Sequence, residues 1–415
     1  MNQPQSNQAV ALPLRRRQLQ IFWLCWLLYA LAYLGRTNLS VALSSMQGVF
    51  SGSKTLLGLL GTLFYWTYAA GKLINGYAGD YVNNKRMILY GVILAGLSNI
   101  GMGLLKTPVL LLLLWSVNGF AQSLLWCNML RIVARWFTPK QQGTMAVFLN
   151  TSIMAGSLLG MGGGGVLISV LPWQWTFLLP GLLLLLGAAL WGRWGQNSAA
   201  EAGFTIQTMV QESGAQAEKP QKLWPFILSS GLLVVMVACL AQGVVKDSIG
   251  LWGPVMLEEQ HHIGAGAASI MLLVIPVANF FGVLLMGMLN KKGFRTEVLA
   301  GMMMAIGALC LVWLRVCTST AVYILLLAVI STLMYGVNTL LLGLYPLRFW
   351  RENRVSFVSG FLDASSYVAA GASSFMIGQM LDHGQGWSSI FAIWLALTAV
   401  GIGALFISKH KMANH

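Results

Sequence analysis

Apolar runs long enough to cross a bilayer recur along almost the whole chain, and no other feature limits its fold as strongly. In hydrocarbon every backbone N–H and C=O must be satisfied within the protein, so predominantly apolar runs of roughly 17 to 25 residues read as membrane-spanning helices. Such runs fall near residues 19–46, 56–79, 87–105, 109–136, 143–169 and 174–193, and again near 225–257, 265–289, 297–316, 320–345, 355–380 and 388–408. Only 9% of the residues are charged, against about 25% in soluble domains, which excludes a soluble enzyme. The prediction is an all-α membrane protein with twelve transmembrane helices in two pseudo-symmetric six-helix bundles.

The formal charge of +14 is arranged by side of the membrane. Eighteen of the 25 basic residues fall in loops and tails on the side of the termini, and only Lys54, Lys106 and Arg315 on the other. By the positive-inside rule both termini are expected in the cytoplasm, in a bacterial inner membrane. No basic patch is interleaved with aromatics, so a nucleic-acid partner is not expected. Arg15, Arg16 and Arg17 precede a long apolar run without a small-residue cleavage site, so the first helix is expected to be retained. The five cysteines lie mostly inside apolar runs at no metal-like or paired spacing, which implies neither disulfide nor metal. No cofactor motif is present, and a monomer is expected.

Four cations remain, Arg36, Lys72, Arg131 and Lys246, all within or at the edge of spans. From Gln18 to Gly35 the chain has no charged side chain, and the next ionisable residue after Arg36 is Lys54. An unpaired guanidinium at that depth costs several kcal/mol, which makes it a functional candidate. Tyr29 and Tyr33 precede it by seven and three residues, on the same helix face. On the second span Tyr65, Tyr68, Lys72 and Asn75 share a face. The same spacing aligns Asn118, Gln122 and Trp126 on the fourth and Tyr335, Asn338 and Tyr345 on the tenth.

A repeat divides the chain. Gly71-x4-Gly76 precedes the basic turn NNKR, and Gly282-x4-Gly287 precedes NKKGFR, an offset of 211 residues that carries Arg36 onto Asp247, beside Lys246. The predicted division is a cytoplasmic tail (1–18), a first bundle (19–195), a polar cytoplasmic linker (196–222), a second bundle (223–408) and a short tail (409–415). Two such halves with a polar site between them near the midplane is the arrangement of secondary transporters. Small-residue stretches such as Gly160 to Gly165 suit close helix crossing.

After the second span, GYAGDYVNNKR resembles the loop signature of the major facilitator superfamily. The resemblance implies a conformational latch at Asp80, Lys85 and Arg86, while Tyr81 and Asn84 depart from its usual residues. Across its length the chain resembles, more specifically, the organophosphate:phosphate antiporter family typified by the glycerol-3-phosphate transporter. The matching residues are Tyr29, Tyr33 and Arg36; Tyr68 and Lys72; Gly119, Gln122, Trp126, Arg131, Trp136 and Lys140; and Asn150. In the second half Lys246, Trp252 and Pro254, then Gly360, Phe361, Tyr367 and Gly371, continue the match. Lys246 stands where the family places a second arginine, and Ile153 where the glycerol-3-phosphate transporter places a histidine.

The resemblance implies exchange of a small organic anion, most readily a phosphate ester against inorganic phosphate. The substrate residues would be Tyr29, Tyr33, Arg36, Tyr68, Lys72, Gln122, Trp126, Asn150, Lys246 and Asn338. Asp247 and Asp363 are read as coupling or ion-pair residues: Asp247 projects about 100° away from Lys246 around the helix, and a pair between Lys246 and Asp363, which the sequence leaves open, would lower the cost of both ions. Two alternatives stay open. One is a proton-coupled symporter of organic anions such as sugar acids, disfavoured by Gly35 standing where related symporters carry an aspartate. The other is a transporter-like sugar-phosphate sensor that instructs a membrane kinase.

Overall fold

In the computed structural model, which describes residues 4–78, 82–204, 223–291, 294–350 and 354–413, the apolar runs are helical. The first half consists of α1 (Pro4–Ala42), α2 (Lys54–Ala78), α3 (Asn84–Leu104), α4 (Pro108–Ser123), α5 (Trp126–Trp136), α6 (Pro139–Leu158), α7 (Gly164–Val170) and α8 (Trp175–Trp194). The second consists of α9 (Leu223–Ser229), α10 (Leu232–His261), α11 (Ala265–Met271), α12 (Val274–Lys291), α13 (Thr296–Leu314), α14 (Thr320–Asn338), α15 (Val355–Asp382) and α16 (Trp387–Ala413). The short α9 is set off from α10 by Gly231, at φ +71°, a conformation open to residues without a Cβ.

Ten helical stretches among the described residues are long and apolar enough to cross a membrane. The fold is thus all-α and multi-spanning. α2 and α15, of 25 and 28 residues, have the length to span but are diluted by glycine and hydroxyl side chains.

Several of the predicted spans are interrupted: 225–257 at Ser230 and Gly231, 265–289 at Leu272 and Leu273, 320–345 by a π-helical turn over Thr339–Leu344, and two in the first half. The run 109–136 breaks between α4 and α5 at Leu124 and Leu125, so Gln122 and Trp126 do not share one uninterrupted helical face as their spacing suggested. The run 143–169 contains a π-helical turn over Leu159–Gly163, inside the glycine stretch. Glycine stabilises a helix poorly and exposes its backbone, which lowers the barrier to such irregularity.

One packed cluster draws only on residues between Ile21 and Ala199, a second only on residues between Phe226 and Leu405, and a third takes residues from both halves. The repeat read from glycine spacing has a packing counterpart: Gly71 of α2 lies against Ser123 of α4, and Gly282 of α12 lies against Thr332 of α14.

The closest meeting of the halves is α2 against α15. Thr62 Oγ1 donates to Gly371 O at 2.7 Å, Ser374 Oγ to Gly58 O at 2.8 Å and Trp66 Nε1 to Val368 O at 3.0 Å. Backbones approach so closely that a Cβ on Gly58 would stand 2.3 Å from the Ser374 carbonyl oxygen.

The crossing ends in a polar seal. Lys54 pairs with Glu259 of α10 at 2.5 Å. Asp382 accepts from the backbone N–H groups of Lys54 and Thr55, both at 2.8 Å, and from Ser53 Oγ at 2.9 Å. Partial burial works to raise the Asp382 pKa, but these hydrogen bonds outweigh it and hold the carboxyl at about 2. The molecule is closed at its Lys54 end.

Candidate functional site

Arg36 lies partly buried on α1, ringed by aromatics from three helices. Its guanidinium carbon is 5.5 Å from the ring centre of Tyr33, 5.1 Å from Phe64, 4.9 Å from Tyr68 and 5.6 Å from Tyr367. Rings within about 6 Å of a cation attract it through their quadrupoles by ~0.5–2 kcal/mol each. They lower the cost of the buried charge without cancelling it. Among the described residues no carboxylate lies within ion-pair distance of Arg36.

The other two cations are compensated. Lys72 of α2 pairs with Asp363 of α15, the side chains 16% and 19% exposed. Lys246 pairs with Asp247, its neighbour on α10, at 2.7 Å, the side chains 5% and 8% exposed. The pairing that the sequence left open is thus Lys246 with Asp247 and not with Asp363. The tight α2–α15 crossing brings Asp363 to Lys72, while the long lysine stem folds along α10 far enough to offset the angular separation from Asp247.

One ring joins the three cations. Tyr367 of α15, one helical turn beyond Asp363, lies 5.6 Å from the Arg36 guanidinium carbon, 5.4 Å from Lys72 Nζ and 5.5 Å from Lys246 Nζ. Tyr68 serves both Arg36 and Lys72, and Tyr335 lies 5.0 Å from Lys246 Nζ. Tyr367 belongs to the second-half motif but is not among the substrate residues that the resemblance implies. Its spacing of four from Asp363 was the available signal.

The remaining candidates divide. Tyr29 packs between Tyr33, at 5.3 Å, and Trp126, at 5.0 Å, extending the aromatic wall from Arg36 to the start of α5. Asn338 accepts from Gln242 Nε2 at 3.4 Å, and the same amide donates to Ser366 Oγ at 2.8 Å, which links α14, α10 and α15. Asn150 sits partly buried on α6, and no hydrogen bond among the described residues ties it to the cations. Gln122 differs most from its predicted place. Its amide turns into the first half and donates to Gly35 O at 3.4 Å and Asn118 Oδ1 at 3.1 Å.

Of the expected latch, Asp80 lies outside the described residues. Lys85 and Arg86 open α3: the Lys85 carbonyl accepts from Trp191 Nε1 at 3.0 Å, and the Arg86 N–H donates to Asn83 Oδ1 at 3.2 Å. Among the described residues no group of histidine, cysteine and acid side chains could hold a metal ion.

Membrane-length helices from two halves, converging on buried cations that aromatic rings hold in place, define a membrane transporter rather than an enzyme. The family model described as Major Facilitator Superfamily matches residues 25–374, and the chain belongs to that superfamily. It is similar to the "Probable hexose phosphate transport protein" of Chlamydia pneumoniae, 23% identical with 93% of this chain and 90% of the relative covered. Two Escherichia coli (strain K12) proteins match at comparable levels. The "Membrane sensor protein UhpC" is 24% identical over 92% of this chain and 89% of its own, and the "Hexose-6-phosphate:phosphate antiporter" 22% identical over 92% and 88%. The fold is shared with the crystal structure of a bacterial homologue of the human lysosomal transporter Spinster, inward-facing and occupied. That likeness has a TM-score of 0.76 at 14% identity and covers 94% of this chain and 97% of the other.

Proposed function

We propose that this protein is a twelve-span secondary transporter that exchanges a phosphorylated small organic anion for inorganic phosphate. The observation that carries the reading is the charge of the central site. Three cations face two carboxylates, and the unmatched one is the arginine. A planar guanidinium offers paired donors to two oxygens of a phosphoryl group, a match a lysine point charge does not make. The names of the relatives, hexose phosphate transport protein and hexose-6-phosphate:phosphate antiporter, support a sugar phosphate as the organic anion.

The proposed architecture is two six-helix bundles, residues 19–195 and 223–408, joined by the linker 196–222, with α2 and α15 completing the twelve spans. The two half-specific packing clusters support it. With the basic loops and both termini in the cytoplasm, the Lys54 end, closed in the described conformation, faces outward. Arg36 holds the phosphoryl group, flanked by Tyr33, Tyr68 and Tyr367. Lys72 and Lys246 are reserve cations whose carboxylates exchange with substrate oxygens. Tyr29, Trp126, Asn150 and Asn338 line the space for the hydroxylated body, and Asp80, Lys85 and Arg86 latch the inner end.

Exchange follows from the uncompensated guanidinium. Closing both ends around it strips its water at a penalty of several kcal/mol. A bound anion removes that penalty and favours the occluded state, so the loaded carrier turns and the empty one does not.

Purified protein in vesicles preloaded with phosphate is expected to take up labelled phosphate rapidly, and slowly when the lumen holds no anion. Accumulation driven by a proton gradient into anion-free vesicles would replace exchange by symport. The similarity to a membrane sensor protein favours one second reading, a sensor that binds without transport. Phosphate ester binding with no movement of label in any vesicle would establish it in place of exchange.

A further inference from the structure

Neutral amides gather on the backbone beside Arg36. Three side chains of the first half converge on one oxygen, the carbonyl of Gly35: Asn99 of α3 and Asn118 of α4 donate at 3.2 Å each, and Gln122 of α4 at 3.4 Å. Asn99 also donates to its own helix at Ala95 O, 2.9 Å away, and accepts from Asn38 Nδ2 at 2.8 Å. The Asn38 amide continues to Thr176 O of α8 at 3.0 Å. All four amide side chains are at most 3% exposed.

A carbonyl oxygen has two lone pairs, so three side-chain donors crowd it. Buried amides need acceptors, yet Asn99 already has one within its own helix, which leaves the convergence on Gly35 in need of a reason. The lack of a side chain at Gly35 admits it: a Cβ there would stand 3.1 Å from Asn99 Nδ2 and 2.9 Å from Leu184 Cδ1 of α8.

The geometry points to Asn99, Asn118 and Gln122 as positioning residues for Arg36, holding the rotation of α1 so that the guanidinium faces α2 and α15. Successive residues of a helix point about 100° apart. A clamp on the α3 and α4 side of Gly35 therefore sets the direction in which Arg36 leaves the helix. The device suits an anion site. A carboxylate would orient the arginine directly but would cancel the charge that the anion needs, as Asp363 and Asp247 do for the two lysines. Neutral amides on the backbone orient it and leave its charge free. This inference rests on the reading of Arg36 as the phosphoryl anchor.

The test is a cycle on the full-length protein. The pair Asn118→Leu with Gln122→Met removes two donors at similar volume, and inorganic phosphate binding is measured by calorimetry in the Arg36 and Arg36→Lys backgrounds. The dissociation constant is expected to rise at least about fivefold with Arg36 and less than about twofold with Arg36→Lys, because a point charge on a flexible stem does not need aiming. Equal losses in both backgrounds would mean that the amides merely hold the bundle together, and would overturn the inference.

A second measurement needs no ligand. Arg36→Cys, labelled by a charged thiol reagent and corrected for labelling of the native cysteines, is expected to react several-fold more slowly once the amides are replaced. If Asn118→Leu does not fold, Gln122→Met alone serves in both assays. An unchanged labelling rate overturns the positioning role. Absence of phosphate binding by the unmodified protein overturns the phosphate reading instead, and the labelling rate still decides the positioning role.

Discussion

Asp363→Asn tests the charge arrangement most directly. In the native protein Asp363 matches Lys72 across the α2–α15 crossing, with both side chains more than four-fifths buried. Removing one partner of a buried pair costs ~3–5 kcal/mol, because the other charge is left uncompensated. The residual exposure of the pair and the nearby Tyr68 and Tyr367 rings, 5.0 and 5.4 Å from Lys72 Nζ, favour the lower end of that range. Adding Lys72→Met is expected to restore most of the loss.

The same substitution raises the formal charge of the empty site by one, so phosphate is expected to stabilise the Asn variant more than the native protein. For the native protein, phosphate at a hundred times its dissociation constant contributes about 2.7 kcal/mol. Denaturation of the four proteins of the cycle, with and without phosphate, reads both effects. Additive losses from Asp363→Asn and Lys72→Met would show that the two side chains do not interact, and the charge balance of the site would have to be redrawn.

Arg36→Lys keeps the charge and loses the fork. Phosphate exchange is expected to fall by about tenfold or more, roughly 1.4 kcal/mol, with unfolding unchanged, and native exchange rates would contradict the anchoring role. Tyr367→Phe keeps the ring near the cations and is expected to bind phosphate within about threefold of the native protein, whereas Tyr367→Leu removes the ring and loses binding and stability together. Calorimetry and thermal unfolding separate the two variants.

At the Lys54 end, Asp382→Ala removes the acceptor for three donors and is expected to expose Ser53→Cys to impermeant thiol reagents in right-side-out vesicles. The native seal follows the sign set by a lowered carboxyl pKa. Its Asp382 contribution is full above the unfolded value of 3.8 and is lost as the pH falls through about 2. Across the neutral range, accessibility is therefore expected to stay flat.

The apolar runs alone determined that this chain is helical and spans a membrane, because hydrocarbon admits few other solutions for the backbone. They also singled out Arg36, since a guanidinium in an uncharged run is conspicuous whatever surrounds it. The glycine spacing marked positions where α2 and α12 meet their neighbours closely, a local steric requirement carried in the sequence.

Which acid meets which lysine was not legible, because it depends on the approach of α2 to α15 from residues almost three hundred positions apart. Helical periodicity placed Asn118 and Gln122 together on a face but could not say what that face meets. The fold turned it toward Gly35 instead of the cations and broke the helix before Trp126. Tyr367 became the ring common to three cations for the same reason. Spacing along one helix fixes angles about that helix alone, and contact between helices is decided by how their surfaces pack.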